Sequence, residues 1–174
     1  MRNKNVKLLV LAALFTALTI VATIVIQIPS MRGYINLGDC VVLLSAWILG
    51  PLVGAAAAGV GSALADILTG YAYYAPGTLV IKAAMGLAAG LIFRAVAGKK
   101  GMGIRALAGQ AAGAVAAETI MVLGYFGYAG LLLGEGLGAA AGIPGNLVQA
   151  IFGIVIALAL VQILERSHAL ERVR

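Results

Sequence analysis

Charged residues are scarce in this sequence. Asp, Glu, Lys and Arg make up 10% of the 174 residues, whereas an ordinary soluble domain carries about 25%. Hydrophobic residues make up 63%, and the mean hydropathy is +1.08. This balance excludes a soluble globular domain. Because a helix needs about 20 apolar residues to cross a bilayer, the chain has room for about five or six spans and no further domain. We therefore predict one membrane domain over 1–174.

Cysteine and histidine are almost absent, with one residue of each type, Cys40 and His168. A single cysteine excludes an intramolecular disulfide, and one histidine cannot build a zinc-type ligand set. The sequence also lacks the motif GxxxxGK[ST], so nothing in it can cradle nucleotide phosphates. No nucleophile and base accompany the acidic residues. We predict an all-α membrane protein without a metal, a cofactor or an enzymatic activity of its own.

Long apolar runs fill the chain instead. The first follows a basic start, MRNKNVK, but at about 21 residues it is longer than a signal-peptide core of 7–15 residues, so we read it as a retained helix. Gly50-Pro51 interrupts a second apolar stretch, because proline lacks the N–H that a continuing helix needs. The six predicted transmembrane helices are 8–28, 38–50, 52–69, 78–96, 104–128 and 143–164.

Lysine and arginine lie almost entirely on one side of this predicted topology. Ten of the twelve flank the helix ends that share the side of the N-terminus: Arg2, Lys4, Lys7, Arg94, Lys99, Lys100, Arg105, Arg166, Arg172 and Arg174. The positive-inside rule then predicts that both termini are cytoplasmic. The basic residues form no stripe with interleaved aromatics, which argues against binding to nucleic acid.

Apart from Arg94 and Arg105 at the cytoplasmic helix ends, four residues with charged side chains fall within the predicted spans: Asp39, Asp66, Lys82 and Glu118. Such residues are functional candidates because they are costly at membrane depth. Asp66 and Lys82 each lie about four residues, or about 6 Å, from the outer ends of consecutive helices. A salt bridge between them is therefore one interpretation. The other is that Lys82, held by Asp66 or shared with Glu118, also contacts a ligand.

Hydrogen-bonding side chains concentrate in the outer half of the predicted bundle, whereas the inner half is nearly pure Ala, Gly, Leu, Val and Ile. An interfacial aromatic belt could explain the tyrosines, but no tyrosine lies at the cytoplasmic rim. The pattern predicts a cup that opens outward, without an exit, for a small planar polar molecule. The candidate ligand-binding residues are Asn36, Asp39, Asp66, Tyr74, Lys82, Glu118, Tyr125, Asn146 and Gln149.

Several of these residues carry a resemblance to a known family. The stretch from YINLGDC through ALADILTGYAYYAPGTLVIK, together with IPGNLVQAIFG, resembles the substrate-binding S components of energy-coupling-factor (ECF) vitamin importers. It is most similar to the riboflavin-type group, which includes members for pyridoxine and hydroxymethylpyrimidine. The resemblance implies six helices with both termini inside and a vitamin site in the outer half. It also implies a prokaryotic plasma membrane, a transmembrane coupling subunit and two cytoplasmic ATPases that hydrolyse ATP.

The expected function is therefore high-affinity binding of a vitamin-like heterocycle, with pyridoxine or hydroxymethylpyrimidine as the preferred ligand and riboflavin as the alternative. In this family an alanine motif on the first helix packs against the coupling subunit, and Ala13 and Ala17 match its four-residue spacing. A stand-alone secondary transporter is the competing hypothesis. It is disfavoured because the inner half is apolar and no internal repeat is visible.

Overall fold

The computed structural model describes residues 2–31, 33–98, 103–167 and 170, although not the side chains of Arg2 and Asn3. Six α-helices follow one another along the chain: α1 (Arg2–Val25), α2 (Gly38–Leu49), α3 (Pro51–Leu68), α4 (Ala75–Ala97), α5 (Ile104–Gly127) and α6 (Ile143–Arg166). Six basic residues lie outside the described residues: Arg32, Lys99, Lys100, His168, Arg172 and Arg174.

Five of these helices, all except α2, are long and apolar enough to cross a membrane. Helix α2 has 12 residues and therefore measures about 18 Å, less than the bilayer core of about 30 Å. Eleven of its twelve residues are buried, and it packs against α1, α3, α4 and α6. The short helix is thus the centre of the bundle and is enclosed by the longer ones.

The Gly50-Pro51 dipeptide separates α2 from α3, as the sequence predicts. Gly50 adopts a φ of 87°, which favours glycine because it has no Cβ, and Pro51 opens α3 in the first turn. The two helices then run close together. A Cβ on Gly54 would lie 2.6 Å from the backbone of Ala46, so only glycine permits this approach.

Small residues four apart bring the remaining helices together. On α4, a Cβ at Gly86 would lie 2.9 Å from Ala55, and one at Gly90 would lie 2.7 Å from Pro51, both on α3. On α5, Gly113 faces the Ala89 carbonyl of α4 in the same way. Since lipid gives no hydrophobic drive for helix association, such close backbone contacts hold membrane bundles together.

The predicted end of α1 and the predicted start of α4 differ from the structure, which also defines the segment between α5 and α6. Helix α1 ends at Val25, and the predicted span to residue 28 is wrong because Gln27–Pro29 forms a strand, β1, that pairs antiparallel with β2 (Tyr34–Asn36). Helix α4 begins at Ala75, within the predicted loop, since Pro76 suits the first turn of a helix. The glycine-rich segment between α5 and α6 contains a π-helical turn, Tyr128–Leu132, and a 3₁₀ helix, Gly136–Gly142.

The opposite end of the bundle, where α4 ends and α5 begins, is not free of polar side chains. Gln110 is fully buried there. Its amide donates to Glu165 at 3.1 Å and accepts from Gln162 at 3.4 Å, which ties α5 to α6. The prediction that the inner half is nearly pure Ala, Gly, Leu, Val and Ile overlooked this cluster, which can be buried between helices because its amides are hydrogen-bonded.

Candidate ligand-binding site

A cavity with a volume of about 70 Å³ lies at the end of the bundle where α3 ends and α4 begins, which we call the pocket end. It is bounded by β2, α3, α4, α5, α6 and the segment between α5 and α6. The side chains with hydrogen-bonding groups that line it are Tyr34, Asn36, Asp66, Tyr71, Tyr74, Thr78, Tyr125, Asn146 and Gln149.

Lys82 forms a buried ion pair with Asp39, donating from Nζ to Oδ1. The predicted salt bridge between Lys82 and Asp66 is therefore wrong. Helix depth suggested Asp66 as the partner, but α2 lies at the centre of the bundle and brings Asp39 to the lysine. Lys82 also lies over the ring of Tyr125, 5.5 Å from its centroid, in a cation–π arrangement. Neither Asp39 nor Lys82 lines the cavity, so the pair supports the site from outside it.

Asp39 is also the first member of a chain of hydrogen bonds that reaches the cavity. The amide of Gln149 donates to Asp39 Oδ2 at 2.7 Å. Its carbonyl oxygen accepts two bonds from Asn36, from the backbone N–H at 2.9 Å and from the side-chain amide at 3.0 Å. Asn36 Oδ1 in turn accepts from the N–H of Gly38 at 2.8 Å. These bonds fix the orientation of both amides, since each carbonyl oxygen already has a donor.

Asp66 lies on a different part of the cavity wall. Its Oδ1 accepts a hydrogen bond of 3.0 Å from the Tyr34 hydroxyl. Its Oδ2 is buried without a hydrogen-bond partner among the described residues, although Thr78 lies beside the carboxylate. Tyr34 lies in strand β2, outside the helices. Burial and the neighbouring Asp66 charge raise the pKa of its hydroxyl to about 12, so this phenol remains a donor at neutral pH.

All six tyrosines of the chain meet at the pocket end. Ring centroids are 5.0 Å apart for Tyr34 and Tyr71, 4.9 Å for Tyr73 and Tyr74, and 6.2 Å for Tyr74 and Tyr125. The Tyr125 hydroxyl lies 3.0 Å from Thr78 Oγ1. A cluster of contacting rings around one cavity differs from an interfacial belt, whose rings are distributed around the protein, and it offers flat apolar faces to a planar ligand.

Glu118 does not belong to this cavity. It is 3% exposed, and neither carboxylate oxygen has a hydrogen-bond partner among the described residues. It lines a second, mainly apolar groove between α5 and α6, with Val115, Thr119 and Ile154 among its neighbours. Glu118 therefore does not line the cavity, but it lies close to Asp39, since a Cβ on Gly153 would lie 3.0 Å from both Glu118 Oε1 and Asp39 Cβ.

The structure places six of the nine predicted residues on the cavity wall: Asn36, Asp66, Tyr74, Tyr125, Asn146 and Gln149. Asp39 and Lys82 lie beneath it. Tyr34, Tyr71 and Thr78 also line the cavity but were not among the predicted residues. Tyr34 lies two positions before the polar NLGD stretch, Tyr71 lies in the same loop as Tyr74, and Thr78 lies four residues before Lys82, one helical turn away. Within the described ranges no group of three His, Cys, Asp or Glu side chains could hold a metal ion.

The family described as "ECF-type riboflavin transporter, S component" matches residues 3–166 of the chain. The chain belongs to this S-component family. Membership agrees with the apolar helices and makes this a transport protein of the membrane rather than an enzyme.

Two relatives and one solved structure support the assignment. A protein of Pyrococcus woesei, described as "Uncharacterized protein in gap 3'region", is 42% identical over 151 residues, which is 86% of this chain and 95% of the relative. The "Thiamine precursor transporter HmpT" of Lactococcus lactis subsp. cremoris (strain MG1363) is 32% identical over 177 residues, 100% of this chain and 97% of the relative.

The solved S component of a bacterial ECF transporter has the same fold, with a TM-score of 0.66, 21% identity, and coverage of 95% of this chain and 98% of that one. At this identity the likeness concerns the fold alone.

Proposed function

We propose that this S component is the high-affinity substrate-binding subunit of an ECF-type importer for a small single-ring heterocycle, hydroxymethylpyrimidine or pyridoxine. The observation that carries the proposal is the cavity at the pocket end, where oriented amides and a carboxylate meet a cluster of tyrosine rings. A ligand site of this kind combines apolar walls with a few placed polar groups. The similarity to a thiamine precursor transporter supports a ligand of this class.

The size of the cavity favours a single ring over riboflavin. Its volume of about 70 Å³ corresponds to about five to seven water molecules, since each occupies about 10–15 Å³ by this measure. A six-membered ring with small substituents displaces a similar number of waters. The three fused rings and ribityl chain of riboflavin need several times more space, so riboflavin remains the alternative only if the pocket end opens.

We further propose six membrane-embedded helices with both termini in the cytoplasm, in a prokaryotic plasma membrane. The positive-inside rule supports this orientation, since Lys4, Lys7, Arg94, Arg105 and Arg166 all lie near helix ends opposite the pocket end. The pocket end then faces the outside. The central helix α2 is enclosed by its neighbours and does not need the length of a full span.

A transmembrane coupling subunit and two cytoplasmic ATPases are the proposed partners. Ala13 and Ala17 lie on the exposed side of α1, four residues apart and therefore on one face of the helix. Small side chains there allow another helix to approach closely. We propose that this face contacts the coupling subunit, while ATP is hydrolysed by the partners.

Two experiments test this function. Mass spectrometry of small molecules that co-purify with the detergent-solubilised protein should identify a single-ring heterocycle. Uptake of that heterocycle into proteoliposomes should require the coupling subunit and the ATPases with ATP. Uptake by this chain alone would instead establish the second candidate function, a stand-alone secondary transporter. The observation that favours this candidate is the buried Gln110 cluster, because it places polar groups in the half of the bundle opposite the cavity.

A further inference from the structure

On the cavity wall, hydrogen-bond donors lie on one side, at Asn36 and Gln149, and a hydrogen-bond acceptor lies on another, at Asp66. We infer that Asp66 determines specificity by accepting a hydrogen bond from an exocyclic amino group of the substrate, so that the protein selects an aminopyrimidine over its hydroxy or oxo analogue and over pyridoxine. This inference rests on the proposed function and narrows the substrate class of the same site.

The acceptor is the Asp66 carboxylate. Asp66 lines the cavity and is 8% exposed. Its Oδ1 already accepts from Tyr34 at 3.0 Å, whereas Oδ2 has no hydrogen-bond partner among the described residues. The Thr78 hydroxyl beside the carboxylate lies 3.0 Å from the Tyr125 hydroxyl. A buried acceptor without a donor costs free energy, and a ligand that brings an N–H to Oδ2 removes that cost. A ligand oxygen without a proton at this position would meet a carboxylate oxygen and be repelled.

The donors are the amides of Asn36 and Gln149, whose orientation the protein fixes. Gln149 Oε1 accepts from Asn36, and Asn36 Oδ1 accepts from Gly38. Gln149 Nε2 donates one proton to Asp39, and each NH₂ group has a second proton. Because Asp39 is held by Lys82, the Gln149 amide cannot flip without losing a buried bond. This side of the cavity therefore offers N–H groups and suits ring nitrogens or a hydroxyl oxygen.

A ligand that fits both sides has acceptor atoms along one edge and an amino group at another. A 4-amino-5-hydroxymethylpyrimidine has two ring nitrogens, a hydroxyl and an amino group, and its plane can stack on the tyrosine rings. Its 4-oxo analogue has the same size and shape but places a carbonyl where the amino group was. Pyridoxine has one ring nitrogen and no amino group. Because the adjacent ring nitrogen of the 4-oxo compound carries a proton, the two pyrimidines differ along one edge of the ring, the edge proposed to face Asp66.

Isothermal titration of the purified protein in detergent tests the inference with three ligands: 4-amino-5-hydroxymethyl-2-methylpyrimidine, its 4-oxo analogue and pyridoxine. We expect the wild-type protein to bind the amino compound at least about 100-fold more tightly than the oxo compound, since a site built to pair a polar group rejects the analogue that lacks it. Asp66→Asn should reduce that ratio to below about 5-fold, because an amide can turn its NH₂ toward the carbonyl.

Gln149→Ala is the matched control in the same cavity. It should weaken both pyrimidines by a similar factor and leave their ratio unchanged, because Gln149 contacts the part of the ring that the two compounds share. Thermal unfolding of each variant establishes that it is folded. If Asp66→Asn does not fold, equal wild-type affinities for the two pyrimidines would still overturn the inference.

The outcomes separate the two proposals. Equal wild-type affinities for the two pyrimidines, a preference for pyridoxine, or an unchanged ratio in folded Asp66→Asn would overturn the role of Asp66 and leave the proposed function intact. If the wild-type protein binds none of the three and co-purifies with no heterocycle, the proposed function itself fails.

Discussion

Lys82 on α4 is paired with Asp39 on α2, and the pair lies beneath the ligand cavity rather than in its wall. Asp39 uses its second oxygen to hold the Gln149 amide. One buried lysine is thus connected, through one carboxylate, to the donors that face the cavity. The Lys82 charge, which is costly at membrane depth, is neutralised by Asp39. Through Asp39 it also helps to position the Gln149 amide.

Removing the lysine should destabilise the protein strongly. In Lys82→Met the Asp39 carboxylate stays buried without its counter-charge, and breaking a buried pair in this way costs about 3–5 kcal/mol. Thermal or denaturant unfolding in detergent measures this loss. Lys4→Met, at an exposed position on α1, is the matched control and should change stability by less than about 0.5 kcal/mol. Equal stability of Lys82→Met and wild type would contradict the buried pair.

Gln149→Ala should weaken ligand binding about 10- to 100-fold. The truncation removes a cavity donor and takes away the hydrogen bonds that Gln149 makes with Asp39 Oδ2 and with the N–H groups of Asn36, and an unsatisfied buried group costs about 1–3 kcal/mol. Titration of the co-purified heterocycle measures the effect. Gln162→Ala on the same helix is the control, because Gln162 contacts Gln110 at the opposite end of the bundle and its loss should leave affinity within about 2-fold. A similar loss in both variants would point to general destabilisation of α6.

Gly90→Ala should destabilise the contact between α3 and α4. The added Cβ would lie 2.7 Å from the backbone of Pro51, so the helices must separate, and overpacking of this kind costs about 1–3 kcal/mol. Gly127→Ala is the matched control. Gly127 has an ordinary helical φ of −64° and open space around its Cα, so alanine should raise stability by up to about 1 kcal/mol. The unfolding midpoint of each variant gives the comparison, and a stable Gly90→Ala would show that the two helices can move apart freely.

Ala13→Trp and Ala17→Trp should abolish transport while leaving ligand affinity within about 2-fold. Both alanines are exposed on α1 and far from the cavity residues, so a large ring there blocks a partner helix without touching the ligand. Titration and ATP-dependent uptake with the coupling module measure the two properties separately. Ala56→Trp, at an exposed position on α3, controls for the presence of a tryptophan at the lipid face. Normal uptake by both α1 variants would exclude this face as the partner contact.

Glu118→Gln should leave ligand affinity within about 3-fold and stability at or above that of the wild type. Glu118 lies in the groove between α5 and α6 rather than in the cavity, and its carboxylate oxygens lack partners among the described residues. A neutral amide of the same size costs less to bury than a carboxylate. Unfolding and titration measure both quantities. A large loss of affinity would return Glu118 to the ligand site, as the sequence had suggested.

The membrane class and the helices follow from the sequence to a large extent. Hydropathy locates α3, α4, α5 and α6 closely, because the demand for apolar residues in lipid acts on each residue separately. The strand pair β1–β2 was missed, since Gln27 to Pro29 continue an apolar run and their pairing with Tyr34–Asn36 is not a local property. The start of α4 at Ala75 was also missed. The glycines, tyrosines and proline of this stretch are typical of a loop, but Pro76 also suits the first turn of a helix.

The sequence by itself determined that this is a membrane protein in which most of the candidate ligand-binding groups lie toward one end, because residue number along a helix fixes depth. Only the tertiary structure decided which of those groups meet. Whether Lys82 pairs with Asp39 or Asp66, and whether Glu118 faces the ligand or a separate groove, depends on the rotation of each helix and on its neighbours. Close packing of glycine and alanine surfaces sets that rotation, and these residues are too abundant in the sequence to reveal which of them make contact.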